Sequence, residues 1–289
     1  MTYIQPWLQS SPESAPAFDI SSLTFGDDTL HDNQRWSTWQ SIIPSQRGPQ
    51  PWPDWVITTA SAIDTELGIV KTGKEADVFL VERAESDPAQ PQGSVLLAAK
   101  RYRDAGHRDF HRSAEYQEGR RMRRSRDQRA MTSGSAYGRA LAAGQWAYAE
   151  FDALTRMWQA GVPVPYPVQV NGTEILMEFI GTDGEAAPRL SQVRDQPAVL
   201  RDYLAQVVEI LGQFTRAGLV HGDLSAYNLL VHEGRIIVID LPQIVDVVSN
   251  PNGLDFLHRD CVNIADWFTR RRVDCDGEAL FADLVSELY

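Results

Sequence analysis

The hydrophobic pattern changes character at Gly68. Upstream, residues 1–50 show little apolar periodicity and are rich in Ser, Pro, Asp and Gln, with Trp7, Trp36 and Trp39 scattered through them. Such a stretch is expected to form an irregular arm that packs through its tryptophans. Pro51, Pro53 and the WPDW motif mark the entry to the folded unit, and Asp54 is placed to N-cap a helix over residues 55–67. From Gly68 onward the pattern reads as strands: Ile69-Val70, a polar turn centred on Thr72-Gly73-Lys74, then DVFLV at 77–81. A third strand, 95–100, follows a polar loop containing proline. Residues 138–161 then switch to helical spacing, with Leu141, Trp146, Ala149, Ala153, Leu154 and Met157 on one face.

In the second half, Gly161 and the prolines that follow it end that helix. Residues 166–170 and 174–180 predict a hairpin around Asn171-Gly172. Residues 198–217 place Leu200, Tyr203, Leu204, Val207, Val208, Leu211 and Phe214 on one stripe of a long helix. Two short strands, 229–231 and 235–239, flank a turn at Glu233-Gly234. The 46 residues after Gln243 are expected to hold a helix at FLHRDCVNIADWFTRR and a last one near 278–288.

Composition narrows the class. A chain of 289 residues, 43% hydrophobic and 23% charged, has the make-up of a soluble globular protein with one large core or two lobes. A net charge of -12 opposes a whole-protein footprint on nucleic acid or anionic membrane. The two cysteines, Cys261 and Cys275, give neither a disulfide framework nor a metal spacing, so a reducing compartment is the default. The start lacks a signal pattern and no apolar run approaches spanning length, so a cytoplasmic location without membrane contact is expected.

Candidate chemistry concentrates in residues 219–243, LVHGDLSAYNLLVHEGRIIVIDLPQ. Two strands joined by a tight turn would hold Asp223, Asn228 and Asp240 at one edge of a small sheet. Phosphoryl transfer needs that set: a carboxylate to orient an acceptor hydroxyl and take its proton, and an amide plus a second carboxylate to hold magnesium against phosphates. Asp223 is read as the base, and Asn228 and Asp240 as the metal ligands.

Only three of the 27 cationic residues are lysines: Lys71, Lys74 and Lys100. Two lie in KTGKEAD, where a glycine turn can aim backbone N–H groups, the Thr72 hydroxyl and the Lys74 ammonium at a triphosphate. Lys100 ends the third strand and needs an acidic partner, for which Glu150 is the candidate. An adenine would sit against residues 178–180, with Met177 lining its pocket and the backbone of Glu178 and Ile180 bonding it. Residues 101–129 carry ten arginines against five acids. That segment reads either as a basic insert contacting an acidic protein or an RNA backbone, or as a solvated connector.

These stretches together resemble the RIO family of atypical protein kinases. The resemblance is carried by KTGKEAD (71–77), similar to the family's STGKEA form, LAAKRY (97–102), YAEFDAL (148–154) with AGVPVPYPV (160–168), LMEFIG (176–181), LVHGDLSAYNLL (219–230), VIDLPQ (238–243) and LHRDCVNIADWF (257–268). It covers about residues 55–289. LSAYN and IDLPQ stand in place of the DLKxxN and DFG forms of ordinary protein kinases.

The resemblance implies an α+β, two-lobed protein-kinase-like fold: an arm at 1–50, a small antiparallel-sheet N-lobe at 51–180 with an Arg-rich insert at 101–138, and a reduced helical C-lobe at 181–289. It implies ATP with Mg2+ or Mn2+ as cofactors, Asp223 and Lys100 as catalytic groups, and Asn228 and Asp240 as metal ligands. Thr72, Gly73, Lys74, Glu75, Lys100, Glu150, Met177, Glu178, Ile180 and Ser225 would surround the nucleotide. Family members are linked to maturation of the small ribosomal subunit and act as serine kinases or ATPases. The expected substrate is therefore a protein hydroxyl, with ribosomal or RNA contact through residues 101–129. The amino-terminal winged helix of one subgroup is not expected in the stretch before these motifs, nor is that subgroup's RNA-binding role. Two other readings remain: an ATPase switch that docks on a ribosomal particle, and a small-molecule kinase of the aminoglycoside-phosphotransferase kind, against which Ser225 and the LPQ after Asp240 argue.

Overall fold

Alternation along the strands sorts side chains onto two faces of a sheet. In the computed structural model, which describes residues 30–87, 93–103 and 136–288, six antiparallel strands form that sheet. They are β1 (Gln34–Trp36), β2 (Ala62–Thr72), β3 (Ala76–Glu85), β4 (Ser94–Tyr102), β5 (Pro167–Asn171) and β6 (Glu174–Glu178), in the order β1-β2-β3-β4-β6-β5. On β4, Leu97 and Ala99 are fully buried on one face, while Ala98 and Lys100 point to the other. Gly68, at φ +138, sits in a register shift between β2 and β3. A bulge there twists the hairpin that ends in the glycine turn.

The Leu97 face is covered by the segment that precedes β2. Trp39, Val56, Val81, Leu97, Tyr166 and Val168 form one buried cluster, with Trp39 edge-on to Trp52 at 5.1 Å and Trp55 edge-on to Tyr166 at 5.7 Å. A buried polar network lies within this layer. The Arg83 guanidinium donates to both Asp64 oxygens at 2.6 and 3.0 Å and to Gln169 Oε1 at 3.1 Å, so a fully buried charge meets a paired carboxylate.

Two sequence expectations are corrected here. Residues 55–67 are not helical: Val56 and Ile57 pack into the cluster, and β2 begins at Ala62 with Ala62 and Asp64 inward. The β-branched run through Val56, Ile57, Thr58, Thr59 and Ile63 favours extended backbone over a helix capped by Asp54. Residues 34–50 belong to the sheet and its covering layer, because β1 pairs with β2 and Trp39 is 1% exposed.

The other face of the sheet receives α1 (Ala136–Gln159), which packs on β4, β5 and β6. Beyond β6 come the short pairs β7 (Gly181–Thr182) with β8 (Glu185–Ala186), β9 (Leu219–Val220) with β12 (Val245–Asp246), and β10 (Leu229–His232) with β11 (Arg235–Val238). Three helices complete this half: α2 (Pro197–Arg216), α3 (Gly253–Thr269) and α4 (Gly277–Ser286). The α2 stripe of Leu200, Tyr203, Val207, Ile210, Leu211 and Phe214 is buried. Asp276 caps α4, accepting from Glu278 N–H at 2.9 Å and Ala279 N–H at 3.2 Å. Among the described residues no helix is long and apolar enough to cross a membrane.

Candidate active site

A cleft opens between the sheet and the β10–β11 hairpin. Its inner part is a cavity of about 510 Å3 with apolar walls from Ala98, Met177, Ile180, Ala187, Leu230 and Ile239. Its outer part, about 290 Å3, is lined by the glycine turn above and by Asp223, Asn228 and Gln243 below. Lys71, Val78, Lys100 and Asp240 line both parts. An apolar slot opening into a polar, charged mouth suits a ligand with a flat ring at one end and charge at the other.

Lys100 stands at the junction. Its Nζ lies 2.6 Å from Glu150 Oε1 and 2.7 Å from Asp240 Oδ1. Period-2 alternation on β4 turns it into the cleft, and the helical spacing of α1 brings buried Glu150 under the sheet to meet it. Tyr102, two residues along the same strand, donates its hydroxyl to the other Glu150 oxygen. Burial alone would lower the Lys100 pKa, but the Asp240 and Glu150 carboxylates outweigh it and hold the ammonium well above its ordinary range. Conversely, the charge of Lys100 outweighs burial at Asp240 and holds that carboxyl well below the usual carboxylate range. Asp240 has φ +63, a left-handed conformation that Asp tolerates better than most residues. It ends the extended run of β11 and turns the carboxylate into the cleft.

The lower edge is fixed from behind. Asp260 on α3, fully buried, accepts from Gly222 N–H and Leu224 N–H, both at 2.8 Å. Burial raises its pKa, opposed by His221 and the two backbone donors. Arg259 donates to Gly222 O and Asn263 to Leu224 O. The loop bearing Asp223 is thus clamped at both flanking peptides while Asp223 itself is solvent-exposed. The Ser225 hydroxyl donates to Asn228 Oδ1 at 2.8 Å, and Ile239 N–H donates to Asn228 O at 2.9 Å. That last bond carries the hairpin pairing up to the residue before Asp240, so Asn228 and Asp240 come together at one end of β10 and β11.

Comparison with known proteins gives the family. A family model described as the RIO domain matches residues 90–280. The RIO-type serine/threonine-protein kinase Rio1 of Haloferax volcanii is 40% identical over 220 residues, covering 76% of this chain and 68% of that protein. The serine/threonine-protein kinase RIO3 of Mus musculus is 29% identical over 250 residues, and the chain spans 45% of its length. The chain belongs to the RIO family of atypical protein kinases. A Rio2 kinase from Chaetomium thermophilum, solved as an ADP/Mg2+-phosphoaspartate complex, superposes with a TM-score of 0.53 at 22% identity. It covers 77% of this chain and 62% of its own, and that likeness is one of fold.

Most of the residues singled out in sequence line the RIO cleft: Gly73, Lys74, Glu75, Lys100, Glu150, Met177, Glu178, Ile180, Asp223, Asn228 and Asp240. Two do not. Thr72 lies outside both linings and its hydroxyl bonds Asp77, because alternation at the end of β2 turns its neighbour Lys71 into the cleft instead. Ser225 is likewise set back, holding the Asn228 amide. At the hinge, Glu178 N–H is taken by Tyr166 O at 2.9 Å and its carboxylate accepts from Tyr166 N–H at 3.0 Å.

Of the arginine-rich stretch only residues 101–103 are described. Arg101 bonds Glu66 and Glu174, both at 2.6 Å, and Arg103 pairs with Asp77, so these two are internal ion-pair partners rather than free basic surface. The remaining eight arginines of 101–129 lie outside the described residues. Sequence reasoning assigned no role to Lys71, Tyr102, Arg189 or Asp260. For Lys71 a signal existed, since it is one of three lysines. For the others nothing in local sequence reports what faces the cleft.

Proposed function

We propose that the cleft binds Mg·ATP, adenine inward against Met177 and Ile180, and transfers the γ-phosphoryl group to a serine hydroxyl of a protein. The observation that carries this reading is Lys100, bonded at once to Glu150 and to Asp240 in a cleft that also presents Asp223 and Asn228. Asp223 orients the hydroxyl and takes its proton as the new oxygen–phosphorus bond forms and the bond to the β-phosphate oxygen breaks. Lys100, held by Glu150, meets the phosphate oxygens and offsets their charge.

The donor set fits a hard divalent cation: an amide oxygen on Asn228 and a carboxylate on Asp240 kept ionised by its neighbour. Those two residues would hold Mg2+ or Mn2+, with phosphates and water completing its shell. When bound, the ion neutralises charge on the phosphates. Incubating the pure protein with labelled Mg·ATP and peptides tests the reading. Asp223→Asn is expected to lower transfer by about 100-fold or more with nucleotide affinity nearly unchanged. Undiminished transfer in that variant would overturn it.

A second reading is an ATPase whose phosphoryl group passes to a carboxylate, favoured by the phosphoaspartate in the Rio2 kinase complex. Here Asp223 and Asp240 are the aspartates that line the cleft, and Asp223 is the one not paired with Lys100. A protein-bound label released by hydroxylamine would select this reading; an acid-stable phosphoserine would select the first. The eight further arginines of 101–129 support an anionic partner such as ribosomal RNA, whose binding would weaken steeply with salt.

A further inference from the structure

Lys71 and Arg189 face the same cavity from opposite lobes. Lys71 is the penultimate residue of β2, at the glycine turn; Arg189 immediately precedes a 3-10 turn at Leu190–Gln192, below the cleft. Both line the inner cavity with Lys100 and Asp240, and Lys71 extends into the outer one beside Asp223 and Asn228. Lys100 is matched by two carboxylates, whereas among the described residues neither Lys71 nor Arg189 enters an ion pair. The two cations also feel each other across the gap. Burial first, then the charges of Arg189 and Lys100, depress the Lys71 ammonium below its ordinary value, although Asp240 pulls it up. Lys71 further stands where the STGKEA form has a serine, so its ammonium is an addition to whatever the turn's backbone offers an anion.

An unmatched ammonium and an unmatched guanidinium on facing walls repel each other when the cleft holds only solvent, and both gain from a polyanion placed between them. We propose that Lys71 and Arg189 form a two-sided clamp on the polyphosphate chain, one cation from each lobe, so that approach of the lobes depends on a bound polyanion. This rests on the nucleotide reading above and deepens it. Lysine supplies a flexible point charge from the end of a hairpin, and arginine a planar fork from the facing lobe.

The test measures binding and melting rather than turnover. Wild type, Lys71→Ser, Lys71→Met and Arg189→Met are titrated calorimetrically with Mg·ATP, adenosine and tripolyphosphate, and the unliganded proteins are melted at low salt. Each substitution is expected to weaken Mg·ATP and tripolyphosphate by roughly tenfold, with adenosine unchanged. Each should also raise the unliganded melting temperature by relieving the repulsion. ATP affinity within twofold of wild type, a parallel fall in adenosine affinity, or a lowered unliganded melting temperature would each overturn the clamp. Wild type binding tripolyphosphate but not ATP, with both substitutions weakening it, would keep the clamp and remove the nucleotide reading. Wild type binding neither would remove both.

Discussion

The Lys100 ammonium and the Asp240 carboxylate, 140 residues apart in the chain, meet at 2.7 Å across the cleft. This bond joins the two lobes through the residue that also anchors α1, since the same ammonium holds Glu150 at 2.6 Å. Position of the helix, charge of the lysine and ionisation of the Asp240 carboxylate are therefore a single coupled quantity.

Glu150→Ala removes the buried partner of Lys100 and the acceptor of the Tyr102 hydroxyl. Breaking a buried ion pair from one side costs about 3–5 kcal/mol, and the low end applies because Asp240 still neutralises Lys100. The urea midpoint is expected to fall accordingly. Glu150→Gln should recover part of the loss, since it still accepts from Tyr102.

The Asp240–Lys100 pair sets a pH window. Asp240 is depressed below its ordinary value of 3.8, so its contribution is present above that pH and fades as pH falls further. Lys100 is raised above its ordinary value of 10.5, so its contribution is present below that pH and fades as pH climbs beyond it. Asp240→Asn isolates the charge, because Asn tolerates the same left-handed backbone. Its stability deficit relative to wild type is expected to be constant from pH 5 to about 9 and to shrink in acid below about pH 4, as read by urea titrations at each pH. A deficit that persisted undiminished at pH 2.5 would contradict the assignment.

Asp260→Asn leaves one acceptor for two buried N–H groups, those of Gly222 and Leu224. Since the flanking peptides set where Asp223 points, turnover is expected to drop on the order of 100-fold. Nucleotide affinity, measured by calorimetry, should remain within a few-fold. Loss of both together would mean that Asp260 supports the lobe as a whole rather than the loop.

Gly48 lies where the covering layer crosses β5. A methyl group there would meet the Pro167 carbonyl oxygen and come within 2.6 Å of the Tyr166 hydroxyl. Gly48→Ala is expected to destabilise by about 1–3 kcal/mol, seen as a lower melting temperature. A neutral result would show that residues 37–57 are not part of the cooperative fold.

Local sequence carried much of the framework because its signals are short-range. The glycine turns, the 3.6-residue stripes of α1 and α2 and the Asn171-Gly172 hairpin depend on neighbours a few residues away, and the strands 95–100 and 229–239 lie close to where apolar spacing put them. The expectation over residues 55–67 went wrong for the opposite reason. A cap signal at Asp54 competed with burial of Val56, Ile57, Ala62 and Asp64 against partners far along the chain, Arg83 on β3 for Asp64, and tertiary burial prevailed. Thr72 and Ser225 show the same limit at the site: motif membership named the right segment, but strand alternation and a local hydroxyl–amide bond decided which side chain faces the cleft.

By itself, then, the order of residues determined which groups exist to do chemistry and the spacing that puts Asp223, Asn228 and Asp240 on one hairpin edge. It determined the family as well. Only the tertiary structure decided that Lys71 and Arg189 confront each other, that Asp260 braces the loop from α3, and that residues 34–57 form a layer of the sheet. Each of those facts depends on segments far apart in the chain being packed together. Burial of apolar area fixes such packing for the molecule as a whole, and no window of sequence contains it.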